Sequence, residues 1–289
     1  IEKLDKYIKV ICENIIDKDD FIKSMYSQVS SINLNMNQRN FLTEYIELLK
    51  TNSIEERILY NVSEPRIIIK SLKDEDDYEV KGKKLAEQFA VDVIAEKIDI
   101  RPYFKNLILG NQFYTFDFGK KLSELSDYNQ EFIDDLILEL IKLEKEQCNI
   151  SFLFGYISVL SEEKRNEIFN TFIKNKSSFA FNILRFVEIN FENVLKLFNL
   201  IKESGISSNK LSIIKYEIAN LNSIDKIKYF ELIKPFENGH VIILDTFSTL
   251  IWLSKNNDLK LEEDILGYIK KIIEEENIFI KINSSRNLD

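Results

Sequence analysis

Apolar residues recur at three- and four-residue steps along nearly the whole chain, the spacing that gathers them on one face of an α-helix. Leu4, Ile8, Ile11 and Ile15 open the sequence in this way, and Phe41, Tyr45, Ile46 and Leu49 resume it after Asn37. The habit breaks between Pro65 and Lys81. Pro65 disfavours helix for Glu64, Ile67-Ile68-Ile69 is a β-branched run, and Asp74-Glu75-Asp76-Asp77 stands ahead of Tyr78-Glu79-Val80-Lys81. These features predict an irregular segment or a short β-hairpin, with an acidic loop over 73–79. Gly82 then precedes a helix carrying Leu85, Phe89, Val93 and Ile94, and a joint is expected near Asp99-Ile100-Arg101-Pro102.

From about residue 110 the pattern becomes a repeat. Asn129, Ser161, Asn190 and Asn222 are 32, 29 and 32 residues apart, and each can accept a hydrogen bond from an orphan N–H at a helix start. One position before them stand Tyr128, Leu160, Ile189 and Leu221; four before stand Leu125, Ile157, Phe186 and Ile218; nine before stand Phe152, Phe181 and Ile213, with Lys120 breaking that column. Seven after come Leu136, Ile168, Leu197 and Tyr229, eight after Ile137, Phe169, Phe198 and Phe230, and eleven after Leu140, Phe172, Ile201 and Ile233. The first three columns cover one side of a helix and the last three one side of a second, with the cap between them. Neither helix can bury its apolar face alone, so successive pairs must stack. Units fall near 112–145, 151–174, 178–204, 209–234 and 240–275, the fifth taking Asp258 as cap and Ile265, Leu266 and Ile269 as its later columns.

The expected fold is therefore all-α. An N-terminal helical region over 1–100, holding the irregular or hairpin segment, precedes a right-handed α-solenoid of antiparallel helix pairs over 101–289. From about residue 112 to 275 the chain resembles the HEAT, armadillo and tetratricopeptide families in its tandem helix pairs. The resemblance is one of architecture: the unit is shorter than a typical HEAT repeat, and bulky Phe and Ile replace the small-residue and Pro columns of tetratricopeptide units. What it implies is a surface for binding another macromolecule.

Composition agrees with helices joined by short polar loops, since the 289 residues include only 7 Gly and 3 Pro. Cys12 and Cys148 each sit in a helical apolar pattern and read as reduced core residues of a cytoplasmic protein. No apolar run approaches a membrane span and no basic-then-apolar leader is present; the chain begins at Ile1 rather than Met, as a piece of something longer would. A formal charge of −9, from 48 acidic and 39 basic side chains, disfavours a nucleic-acid partner and favours another protein.

The chemistry on offer is thin. His240 is the only histidine, and no Arg stands five residues before it as in one group of helical ribonucleases. One His and two distant Cys cannot build a structural zinc site. The seven glycines form no phosphate-binding loop. Ser161-x-x-Lys164 and Ser207-x-x-Lys210 match only the first element of a serine acyl-enzyme signature. Most of the 21 Phe fall in core columns rather than in basic stretches that would stack nucleobases. Glu79-Val80-Lys81, with Asp76 as a further acid, has the Glu-x-Lys form that nucleases of the restriction-endonuclease type place on a strand to hold a divalent cation. A solvated acidic loop explains the same residues. The sequence thus points to a non-catalytic scaffold, adaptor or recognition module without cofactor or metal. Its contact residues would be Lys164, Glu167, Asn193, Lys196, Asp225 and Lys228, three and six after each cap. The alternative is a nuclease-like or regulatory centre in residues 64–97, using Asp76, Glu79 and Lys81.

Overall fold

The computed structural model describes residues 21–22, 24–25, 29, 35–49, 53–65, 78–126, 129–144, 146, 148–256 and 261–275. Among them the chain is α-helical and contains no β-strand; one isolated antiparallel bridge joins Leu109 to Cys148. No described helix is long and apolar enough to cross a membrane. The chain divides into two compact units, Ile1–Val159 and Leu160–Asp289.

In the first unit, helix α1 (Met36–Leu49) starts at Asn35 rather than Asn37. Asn35 Oδ1 accepts from the Gln38 N–H and Gln38 Oε1 accepts from the Asn35 N–H, both at 3.0 Å, a reciprocal capping box. Helix α2 (Ile54–Ile58) runs into a π-helical turn, Leu59–Ser63. The expected β-hairpin is not seen: residues 66–77 lie outside the described residues, and Tyr78 to Lys81 form the first turn of helix α3 (Tyr78–Ala95). Gly82, Ala86 and Ala90, at four-residue steps, form a close-packing helical face that outweighs the β-propensity of Val80.

That helix buries part of the face its bulky residues suggest and turns small residues to the core beside it. Ala86, Phe89, Ala90 and Val93 are buried, whereas Leu85 and Ile94 are 36% and 39% exposed. Small residues set the contact: a methyl added at Gly82 would collide with the Tyr114 ring, so α3 lies close against the segment that starts helix α5 (Thr115–Leu125). The same device recurs between α5 and helix α7 (Ser151–Ile157). A Cβ on Gly119 would strike the Phe152 carbonyl, and one on Gly155 the Phe116 carbonyl. Helices α4 (Phe104–Ile108) and α6 (Gln130–Lys142) complete the unit. Their rings join an aromatic chain from Phe89 through Phe118, Phe152, Phe104 and Phe132 to Tyr156, with successive centroids 5.1–6.3 Å apart.

The second unit contains α8 (Glu162–Lys174), α9 (Ala180–Ile183) continued by a 3₁₀ turn (Leu184–Phe186), and α10 (Phe191–Ser204). Two further 3₁₀ segments follow, Ser208–Ile214 and Glu217–Asn220, then α11 (Ser223–Ile233), α12 (Gly239–Asn256) and α13 (Glu263–Glu275). Here α8 and α11 each pack on α10, and α13 packs on α11. Phe198, Tyr229, Phe230 and Tyr268 make a continuous ring series across α10, α11 and α13, at centroid separations of 5.8, 5.7 and 5.9 Å.

All four expected caps are N-caps in the structure. Asn129, Ser161, Asn190 and Asn222 accept from the N–H three residues on at 3.2, 3.4, 2.9 and 2.9 Å. The columns seven, eight and eleven after each cap are buried without exception, none of the twelve side chains exceeding 6% exposure. The preceding element is less regular. Phe152, Phe181, Ile157, Ile218 and Leu221 are buried, Phe186, Leu160 and Ile189 are half-buried, and Leu125 is 41% exposed. Ile213 yields its place to the fully buried Ile214, because the segment winds as a 3₁₀-helix with three residues per turn and the apolar phase slips. Tyr128 and Asp258 lie outside the described residues. In the fifth unit Ile265 and Ile269 are buried as expected, but Leu266 is 44% exposed and Ile272 takes the third position. An i, i+4, i+7 stripe needs no eighth-position residue.

Replacing Phe198 by Ala should destabilise the protein by about 3–5 kcal/mol in denaturant unfolding, the cost of an unfilled cavity in a well-packed core. Gly155→Ala, though it adds only one methyl, should cost about 1–3 kcal/mol because backbone rather than a mobile side chain blocks it. An unchanged melting curve for Gly155→Ala would show that α5 and α7 are not in close contact.

Candidate functional site

The contact residues expected from the repeat are partners of one another. Lys164 Nζ lies 2.9 Å from Glu167, Lys196 Nζ 3.1 Å from Asn193 Oδ1, and Lys228 Nζ 2.9 Å from Asp225. Each pair spans one turn at the start of its helix, where i and i+3 side chains meet. The lysines also reach the preceding long helix: Lys196 Nζ is 3.4 Å from Asn170 Oδ1 on α8, and Lys228 Nζ sits 5.1 Å from the centre of the Phe191 ring on α10. Asn193 is only 5% exposed, and its amide donates to the Glu188 carbonyl at 3.0 Å. It anchors a helix start, where an outside partner cannot touch it.

The alternative centre does not assemble among the described residues. Glu79 and Lys81 stand two apart on the first turn of α3, roughly 200° around the helix from each other, and Asp76 lies outside the described residues. Nowhere among the described residues do three His, Cys, Asp or Glu side chains approach closely enough to hold a metal ion. His240 lies at the start of α12 and is half-buried. Cys12 lies outside the described residues, while Cys148 sits after α6, outside any helix. Its thiol donates to the Leu143 carbonyl at 2.7 Å, and burial pushes its pKa up.

What the structure does build in the first unit is a cleft of about 410 Å³. Its walls are Val93 and Ile94 from α3, Ile98 and Ile100 from the turn after it, Leu122 from α5 and Phe132 from α6, with buried Tyr156 among the lining. The turn is made by Lys97, whose φ of 54° is left-handed. The Ile98 N–H returns to Val93 O at 2.9 Å, a Schellman closure with Lys where Gly is usual. Burial raises the Tyr156 pKa, opposed by the Ser126 hydroxyl, so the phenol stays neutral. Ser126, also in the lining, is thus the side-chain partner of that phenol.

Charge gathers at the rim. Arg101 grips Asp99 with two hydrogen bonds of 2.9 Å, and its Nη1 lies 3.7 Å from both Glu131 and Asp135. The hydrogen bond from Arg101 holds the Asp99 carboxyl below its ordinary range. A second cleft, beside the π-helical turn, is tied by its own polar groups: the Ser63 hydroxyl donates to Gln112 Oε1 at 2.9 Å, and Asn111 Nδ2 to Glu64 at 2.8 Å.

The second unit holds a buried polar cluster that no sequence motif marked. Tyr229, fully enclosed, donates to the Leu211 carbonyl at 3.5 Å beside the Thr246 hydroxyl, and burial drives its pKa far up. Nearby are Glu217, whose Oε2 is buried without a hydrogen-bond partner, and the Lys215–Asp245 pair at 3.0 Å. Arg185 Nε approaches Glu217 Oε1 only to 3.6 Å. Burial outweighs that attraction and raises the Glu217 pKa above its ordinary value of 4.5.

Comparison with known proteins finds no matching family model, no matching curated protein and no matching solved structure.

A raised carboxyl pKa means that the fold prefers the protonated acid, so the charge of Glu217 costs stability above its ordinary value and costs nothing well below it. Glu217→Gln should therefore raise the melting temperature at pH 7 to 8, and the gain should vanish as the pH falls below about 4.5. A loss at pH 7 would show that the Arg185 attraction dominates, and a gain independent of pH would show that the ionisation of Glu217 is not its cause.

Proposed function

We propose that the protein is a non-catalytic interaction module whose capped helix pairs stack as a right-handed α-solenoid and whose partner is another protein. The observation that carries this reading is the fourfold recurrence of one capped helix with the same three buried columns. Such an arrangement spends its apolar residues on stacking neighbours and leaves an extended polar surface free to vary. The chain as a whole, at a net charge of −9, disfavours a phosphate backbone, and the mixed signs at the repeat's polar positions favour a protein partner. Glu167, Lys228 and the half-buried Lys164, Lys196 and Asp225 are the polar positions along it. They are already ordered by their mutual bonds, so a partner that engaged them would pay little side-chain entropy.

The test is recovery of the tagged chain from its native cells after mild cross-linking. One protein should be retained specifically, and cleaved DNA or RNA should not appear when the purified chain is given magnesium or manganese. Metal-dependent cleavage lost in both Glu79→Ala and Lys81→Ala would overturn the reading in favour of an enzyme.

A further inference from the structure

Asn238 and Gly239 form the one Asn–Gly pair in the sequence. Asparagine is a thermolabile residue, and glycine after it is the most permissive neighbour: with no side chain beside its amide nitrogen, that nitrogen can swing onto the carboxamide carbon before it. Here both residues serve the fold, in the turn that joins α11 to α12. The peptide group between them is bonded at both ends. Its N–H, from Gly239, donates to the Phe236 carbonyl at 2.8 Å, and its carbonyl, from Asn238, accepts from the Ile242 N–H at 3.1 Å in the first turn of α12. The Asn238 side-chain amide donates to Asn209 Oδ1 at 3.3 Å.

Packing dictates the glycine. Gly239 is buried, and a Cβ built on it would meet the carbonyl oxygens of Ile233 and Lys234, where α11 ends. The contact that demands a labile pair also guards it. Ring closure takes the proton from the Gly239 nitrogen and turns the peptide group towards the Asn238 side chain. A planar peptide group moves as one body, so both of its hydrogen bonds must break first.

We infer that Asn238 is a site of spontaneous covalent modification which the native junction of α11 and α12 holds shut. When the junction opens, the Gly239 nitrogen gives its proton to water and attacks Cγ of Asn238. The N–Cγ bond forms, the Cγ–Nδ2 bond breaks, and Nδ2 leaves as ammonia. The cyclic imide then takes up one water, which cleaves either of its two carbonyl–nitrogen bonds, and no electrons change hands. One cleavage leaves an ordinary aspartate. The other leaves isoaspartate, whose backbone runs through the side-chain carbons and is one carbon longer. That extra atom has no room where Gly239 already lies against the Ile233 and Lys234 carbonyls, so the product keeps the junction from closing and α12 loses its seat. Conversion is therefore rare in the folded chain and irreversible once it occurs.

Peptide mapping of the full chain, kept in mildly alkaline buffer made with heavy-oxygen water, tests this, because each opening of the imide adds one labelled oxygen. In urea that unfolds the chain, label should enter at Asn238 ahead of every other asparagine. In native buffer it should enter at least about tenfold more slowly, since only the opened fraction reacts. After return to native buffer, the fraction bearing isoaspartate should melt below the unmodified chain. Asn238→Asp separates the new charge from the longer backbone, and it should melt no lower than the wild type, because a carboxylate suits a helix start. No label at Asn238 in urea would show that the pair is not labile, and equal rates in urea and native buffer would show that the junction does not guard it. An isoaspartate fraction that melts with the unmodified chain would show that the longer backbone is accommodated, and early melting of Asn238→Asp would assign the damage to charge. Any one of these four results would overturn the inference.

Discussion

Short helices are the constraint from which the rest of this protein follows. Of the elements that precede the four caps, α5 has 11 residues, α7 has 7 and α9 has 4, and the last is two 3₁₀ turns. Isolated helices of such length are not stable in water. Each must be held by neighbours: α5 packs on both α3 and α7, α9 packs on α8, and the long capped helices supply inward columns of Phe, Tyr, Leu and Ile at almost complete burial. Rings supply large apolar area from few positions, which is why one aromatic series can knit α3, α5, α7, α4 and α6, and another α10, α11 and α13.

The first unit adds a second way of bringing helices together. Glycine faces let backbones approach until carbonyl oxygens stand where a Cβ would be, as at Gly119 and Gly155. The cleft is lined from the C-terminal ends of α3 and α5, away from the close approach of Gly82 to Tyr114 at the start of α3.

How legible this was in the sequence depended on which signal each residue sends. The caps Asn129, Ser161, Asn190 and Asn222 could be read because an N-cap needs one oxygen at one position, and because the buried columns behind them are bulky. Half of the α3 face was misread for the complementary reason, Phe89 and Val93 being buried as read. Ala86 and Ala90 carry no strong apolar signal, and Leu85 and Ile94 do, yet close packing chose the small residues. Ile213 failed because a 3₁₀ segment changes the period, and nothing in Ser208–Ile214 announces that change. Glu79 and Lys81 formed a plausible pair only if the segment were a strand; on a helix their spacing separates them. The cleft and the Glu217–Tyr229 cluster are tertiary objects, assembled from residues 63 and 61 positions apart at their extremes in the sequence (Val93 to Tyr156, Arg185 to Thr246), and no local pattern encodes them.

The two units pair their charges differently. In the second unit, carboxylates are matched by nearby lysines: Glu167 by Lys164, Asp225 by Lys228, Asp245 by Lys215 and Glu262 by Lys226. Such half-exposed pairs contribute little individually to stability, typically about 0–1 kcal/mol, but they leave the surface electrostatically quiet. The first unit has such pairs too, Lys83 with Asp117, Lys121 with Glu124 and Lys142 with Glu139, but there Arg57 faces both Asp92 and Glu96, and Arg101 faces Asp99, Glu131 and Asp135. One arginine serving two or three acids cannot neutralise them, and each surplus carboxylate is a standing cost in self-repulsion that a charge-balanced surface would avoid.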